Sequence, residues 1–298
     1  MTTSTLLEGI YVEHAGDAHV AGRQAVLRRT EWYPAPAGAR PDADREVRAG
    51  DLVGVFAQLK LGLETRGLAL VQLDRLLTNP ELITLATLLG APQQQSDERL
   101  APYVEDDVIL NLRAEHAETE DLTWQLLFAE NYVMMHTELA GRLIHDQVRY
   151  LMFQCVNAPV RDEGGQTLLV PMPAVRARLT DRQAEILHAT RHADYLAPPT
   201  FLSWHEGREV FAVKDAEGEH LPWRYEGDDP SVTAADVTEA LAALLDALYQ
   251  QDTTYGVPWE PLMLGVFDNT RFFHARSFSR RPVDGPPRHL REIRVFLE

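Results

Sequence analysis

Val133-Met134-Met135-His136-Thr137-Glu138-Leu139 is the stretch whose reading decides the fold. On an extended strand residues i and i+2 face the same side, so His136 and Glu138 can present an imidazole and a carboxylate to one point. Such a pair needs a third donor. The downstream run Phe267-Asp268-Asn269-Thr270-Arg271-Phe272-Phe273-His274-Ala275-Arg276 offers His274. Two histidines and one carboxylate fill one face of an octahedron and leave three positions open, the set that favours non-haem Fe(II) and lets it take co-substrates. The motif is short. With 11 histidines and 45 acidic residues in 298 positions, chance gives about two His-x-Asp/Glu matches. The chain has three, the others being His116-Ala117-Glu118 and His192-Ala193-Asp194. What singles out His136 is its company downstream.

Composition narrows the class of protein. A hydrophobic content of 45% with 8% aromatics suffices for a sizeable core, and the length allows one large domain or two small ones. The formal charge of -17 and the absence of a lysine–arginine cluster argue against a nucleic-acid footprint. One cysteine, Cys155, excludes an internal disulfide and sits in an apolar run, as a buried inert thiol would in a reducing cytoplasm. The first residues lack a basic region followed by an apolar core, and no apolar stretch reaches membrane-spanning length. A soluble, unprocessed cytoplasmic protein is expected.

Along the chain, residues 7–34 carry scattered apolar and β-branched positions that read as peripheral strands, and 33–41 as a proline-rich loop. Asp51 caps an expected helix with Leu52, Val55, Phe56, Leu59 and Leu63 at helical spacing and Gly67 at its end. A buried strand follows at 68–73. A second helix has Asn79 as cap, Pro80 at its first position and Gly90 as terminator. Residues 108–112 read as a strand. The acidic connection 114–130 is long enough to be a lid, with Trp124 and Phe128 either contacting substrate or packed beneath a solvated loop. Further strands are expected at 150–156, 210–213, 221–225, 262–267 and 292–297. Helices are expected after the Thr180 capping box and after a Thr233 cap. Helices come early and once late while strands dominate from 108 onward, so the pattern predicts a β-sandwich decorated with helices.

Taken in order, His-Thr-Glu at 136–138, Gly-Gly-Gln-Thr at 164–167, Asp-Asn-Thr-Arg-x-x-His at 268–274 and Arg288 resemble the taurine dioxygenase family. The resemblance runs from about residue 50 to 298. Glutamate as the carboxylate ligand and an arginine 14 residues after the distal histidine look like the clavaminate synthase and amino-acid hydroxylase branch. It implies a mainly β fold with flanking helices around a double-stranded β-helix (jelly-roll) core. Residues 1–298 would form one oxygenase domain, with 1–50 a peripheral extension. It implies Fe(II) held by His136, Glu138 and His274, with 2-oxoglutarate and O2 as co-substrates. Arg288 would pair with the distal carboxylate of 2-oxoglutarate, a planar bidentate match that lysine cannot reproduce. Thr167 would add a hydroxyl, and the glycines before it would let the backbone turn closely there. The substrate would be a small molecule that is hydroxylated, desaturated or cyclised while 2-oxoglutarate leaves as succinate and CO2.

Two departures from the family pattern bear on specificity. Asp268-Asn269 is followed by Thr270 where relatives often have arginine, with Arg271 one place later. Some relatives carry a second arginine four residues after the first, gripping an anionic substrate. Here Glu292 stands in that place, which points to an amine on the substrate, an amino acid or a natural-product intermediate. A salt bridge from Glu292 to Arg294 or Arg276 is the competing reading. Two other functions remain open at this stage. A zinc hydrolase could use the same His-Glu-His set, and a β-sandwich could bind metal without catalysis.

Overall fold

The computed structural model describes residues 4–38, 47–115, 120, 127–161, 163–195, 198–215, 220–280 and 285–297. Among these, the strands build a seven-stranded and a four-stranded antiparallel sheet, beside a three-stranded sheet and a two-stranded hairpin. Across the larger sheet run Leu68–Gln72, Met263–Asp268, Tyr150–Asn157, His289–Phe296, Ile109–Arg113 and Val104–Glu105, with Ala91–Pro92 also paired to His289–Phe296. Across the smaller run Tyr255–Gly256, Thr167–Pro171, Phe272–Arg276 and Val133–His136.

Period-two alternation sends each strand's residues to opposite sides and so defines the layers. Leu110, Leu151, Phe153 and Phe267 of the large sheet share one apolar cluster with Leu169 and Phe272 of the small one, so the two sheets pack face to face. Behind the large sheet, Val55, Leu59, Leu82 and Leu85 from two helices cover Met152, Val266 and Ile293. Leu168, Val170, Phe273 and Ala275 point out of the small sheet onto Leu241, Leu244 and Leu248 of the helix Ala234–Leu248. The result is a mainly β molecule with helices on both outer faces.

Local signals placed most of these elements. Asp51 accepts a bond from the Gly54 amide at the start of the helix Leu52–Arg66, and Gly67, at φ 73°, closes it. The helix Asn79–Leu89 is capped one residue earlier than expected. Thr78 is the cap, because Glu81 accepts both its amide and its hydroxyl proton in a capping box. The larger correction is at the N-terminus, where the strand Thr5–Tyr11 leads into a helix, Ala18–Leu27, rather than further strands. Its inward face includes His19 and Arg23, polar residues that break the apolar periodicity. Arg23 is nevertheless fully buried, bonded to Glu13 and Asp215. This segment is built into the core, with Val26 and Leu27 fully buried.

Cys155 is buried, and burial pushes its thiol up to about 12. No described helix is long and apolar enough to cross a membrane. Within the connection 114–130, residues 116–119 and 121–126 lie outside the described residues, and the expectation for Trp124 lies there with them.

Candidate active site

Register brings the two imidazoles together. His274 is the cross-strand partner of His136 in the small sheet, and directly opposed residues of an antiparallel pair project from the same face. The ring centroids are 4.0 Å apart. Glu138 follows just past the strand end, where Leu139 at φ 58° turns the chain. Its Oε2 lies 3.7 Å from His136 Nε2 and 3.8 Å from His274 Nε2. One donor atom from each residue falls within 4.8 Å of the other two, a grouping that could hold a metal ion.

The surroundings set these donors in the protonation states a metal needs. His136 Nδ1 is 2.8 Å from the Met134 carbonyl, so its proton belongs there and Nε2 keeps its lone pair for the site. Burial, aided by His136, holds the His274 imidazole well below its ordinary pKa and therefore neutral. Burial opposes ionisation of Glu138, but the Arg294 guanidinium, 2.9 Å away, outweighs it and holds the carboxyl far below its usual range. Arg294 in turn reaches Glu292 on its own strand. Asn269 fixes the backbone of the third donor. Its Oδ1 accepts from the Glu138 amide at 2.8 Å, while its Nδ2 donates to the carbonyls of Glu138 and Val148.

These groups open onto a cavity of about 600 Å³ between the sheets. Arg288 lines it, buried, with Nε and Nη1 finding no partner among the described residues. Burial lowers this guanidinium to about 10, which leaves it cationic at neutral pH. Thr167 lines the same cavity, and its Oγ1 accepts the Trp259 indole proton at 2.9 Å. Its own hydroxyl proton is therefore free to be donated into the cavity. Gly164 and Gly165, at φ 80° and 74°, make the close turn before it. A Cβ on Gly164 would meet the Phe278 carbonyl oxygen at 1.8 Å.

Of the residues singled out from sequence, His136, Glu138, His274, Thr167, Arg288 and Glu292 all line this cavity. Two expectations are corrected. Phe128 does not face the cavity: it is buried in the core and stacked on Tyr103 at 3.9 Å, and Leu127 beside it lines the space instead. The Glu292 carboxylate is bonded to Arg294, the competing reading of this residue, and shares that guanidinium with Glu138. Thr270 and Arg271 both bind Asp268, which settles the local bonding where the motif departs.

Three residues support the site in ways not assigned from sequence. Arg294 shares a strand face with Glu292, a signal that i+2 spacing carries. Arg276, two residues after His274, holds the carbonyls of Asn131 and Ala129 from the cavity wall. Asn269, read from sequence only as part of the motif, reaches across to the Glu138 backbone. Asn269→Ala is expected to weaken metal binding by about 10- to 100-fold, the range for residues that support ligands, and to cost about 1–3 kcal/mol through the buried groups left unpaired. Metal titration and thermal unfolding of the variant check both values.

A face-to-face antiparallel sandwich with a His-x-Glu and a distal histidine between its sheets is the arrangement of the metal-dependent oxygenase class. The chain belongs to the taurine catabolism dioxygenase TauD, TfdA family, whose profile matches residues 38–294. Over 191 residues it is 27% identical to tyrosine isonitrile desaturase of Pseudomonas aeruginosa, an alignment covering 58% of this chain and 62% of that relative's length. Solved structures share the fold. One is PvcB, described as an Fe, alpha-ketoglutarate dependent oxygenase from an isonitrile synthetic pathway, with TM-score 0.61, 18% identity and 88% and 89% of the two chains covered. Another is asparagine oxygenase in complex with Fe(II), 2S,3S-3-hydroxyasparagine and succinate, with TM-score 0.58, 18% identity and 82% and 79% covered.

Proposed function

We propose that this protein is an Fe(II)- and 2-oxoglutarate-dependent oxygenase acting on a small molecule of the amino-acid or natural-product kind, within one domain built on a double-stranded β-helix. The observation that carries this reading is Arg288. A buried guanidinium with two unpartnered N–H groups is costly, and it opens onto the cavity that holds the three metal donors. A dicarboxylate bound between them would satisfy both ends. Neither a zinc hydrolase nor a passive metal-binding sandwich gives that guanidinium a partner.

In this reading His136, Glu138 and His274 hold the metal. Arg288 and the Thr167 hydroxyl grip the far carboxylate of 2-oxoglutarate. Fe(II), 2-oxoglutarate and O2, when bound, supply an oxidant able to take hydrogen from a substrate C–H bond, with succinate and CO2 released. Arg294 keeps the ligand carboxylate ionised, and Asn269 keeps it in place. Apolar side chains such as Leu110, Leu112 and Leu151 exclude water from the cavity wall. Glu138 retains the carboxylate ligand, so hydroxylation, desaturation or cyclisation is the outcome rather than halogenation. The bond from Glu292 to Arg294 supports a structural role for that carboxylate over contact with a substrate amine. A lone buried thiol supports a cytoplasmic setting.

Adding Fe(II) and 2-oxoglutarate to the metal-free protein without oxygen is expected to give a weak visible charge-transfer band that Zn(II) does not give. No band with Fe(II) would sink the proposal.

A further inference from the structure

His136 has a second neighbour across the sheet. On the side away from His274 it is bridged to Lys214. The flanking bonds, Thr137 N to Val213 O at 2.8 Å and Asp215 N to Met135 O at 3.1 Å, make this the narrow, non-hydrogen-bonded kind of antiparallel pair, in which opposed side chains stand closest. Lys214, His136 and His274 therefore form one row on one face, and Lys214 lines the cavity. Its ammonium rides on a flexible four-carbon stem beside a metal ligand.

The charges around it decide what that ammonium can meet. Four acidic residues line the cavity, and each is committed: Asp97 to Arg99, Glu138 and Glu292 to Arg294, and Asp215 to Arg23 and Tyr249. Asp215, although next in sequence to Lys214, is buried in that pairing. Lys214 and Arg142, both exposed at the cavity, form no ion pair among the described residues. The cavity thus holds uncommitted positive charge beyond Arg288, and leucine side chains make up much of its remaining wall.

We infer that the substrate is a carboxylic acid with an apolar body, whose carboxylate is held by Lys214 beside the metal ligands, with Arg142 adding positive charge. This rests on the oxygenase reading above. It also supplies the anion grip that relatives place four residues after the 2-oxoglutarate arginine, where this chain has Glu292.

The test uses three probes with one apolar body: 3-phenylpropionate, 3-phenylpropanamide and 3-phenylpropylamine. Each is titrated into the full-length protein with Fe(II) and 2-oxoglutarate under anaerobic conditions, and the change in the visible band is followed. The acid is expected to half-saturate the change at a concentration about tenfold below the amide and the amine, the size of one partly desolvated charge contact. In Lys214→Met, read against its own band, that preference should vanish, and Lys214→Arg should restore most of it. An amide or amine that matches the acid, a preference that survives Lys214→Met, or no response to the acid overturns the inference and leaves the oxygenase reading standing. Absence of the band itself removes both.

Discussion

His136→Ala should lose the Fe(II)/2-oxoglutarate band and lower substrate-coupled succinate release by at least ~10³-fold, beyond the 10- to 100-fold typical of residues that only support ligands. The reason is the count of donors. Glu138 and His274 would remain, and two donors hold a divalent ion weakly when the site was shaped for three. The fold should survive. His136 makes one side-chain bond, to the Met134 carbonyl, worth about 1 kcal/mol. Thermal unfolding of the metal-free variant should therefore stay close to the parent, which separates loss of the ion from loss of structure. A variant that keeps both band and coupled turnover would show that the ion sits elsewhere.

Arg288→Met is expected to move function and stability in opposite directions. Half-saturating 2-oxoglutarate should rise by about 100-fold or more, since losing one partner of a buried, hydrogen-bonded charge pair costs roughly 2–5 kcal/mol. Without ligand, Nε and Nη1 of this guanidinium are buried and have no partner among the described residues. Replacing the side chain by an apolar one should thus raise the stability of the ligand-free protein by about 1–3 kcal/mol. Arg288→Lys should not rescue 2-oxoglutarate binding, because one ammonium cannot match the two planar contacts. Kinetics and denaturant unfolding of the same samples check the two signs. If Arg288→Met destabilised the ligand-free protein and left 2-oxoglutarate kinetics alone, the residue would be a structural cation.

The parts of the site legible in the sequence are those set by local geometry. His136 and Glu138 share a face because they are two residues apart, and Gly164-Gly165 announce a turn because only glycine tolerates those backbone angles there. The helix Leu52–Arg66 was marked at both ends by Asp51 and Gly67. What was hidden depends on how separate segments pack. The Arg294–Glu138 pair joins a strand of one sheet to a turn leaving the other, a meeting that only the packing of the two sheets brings about. Lys214 earns notice only through its bridge to His136, formed by a segment with no strong strand pattern. The helix Ala18–Leu27 was obscured because its buried face carries His19 and Arg23, whose charge is satisfied from afar. Glu292 left two readings open from sequence, substrate amine or a bridge to Arg294 or Arg276, and the bridge to Arg294 is the one the fold forms.

The strand Val133–His136 is four residues long, held between Phe272–Arg276 and the short Val213–Asp215 segment. Any ion gripped by both His136 and His274 is therefore a cross-link, fastening this brief strand to its neighbour and joining opposite halves of the polypeptide. Chelation and folding then draw on the same free energy: at a free ion concentration a thousandfold above the dissociation constant, the native state gains about 4 kcal/mol. With the ion seated there, the loaded and stripped forms would be two materials of different toughness, and the metal a rivet in the scaffold as well as a reagent.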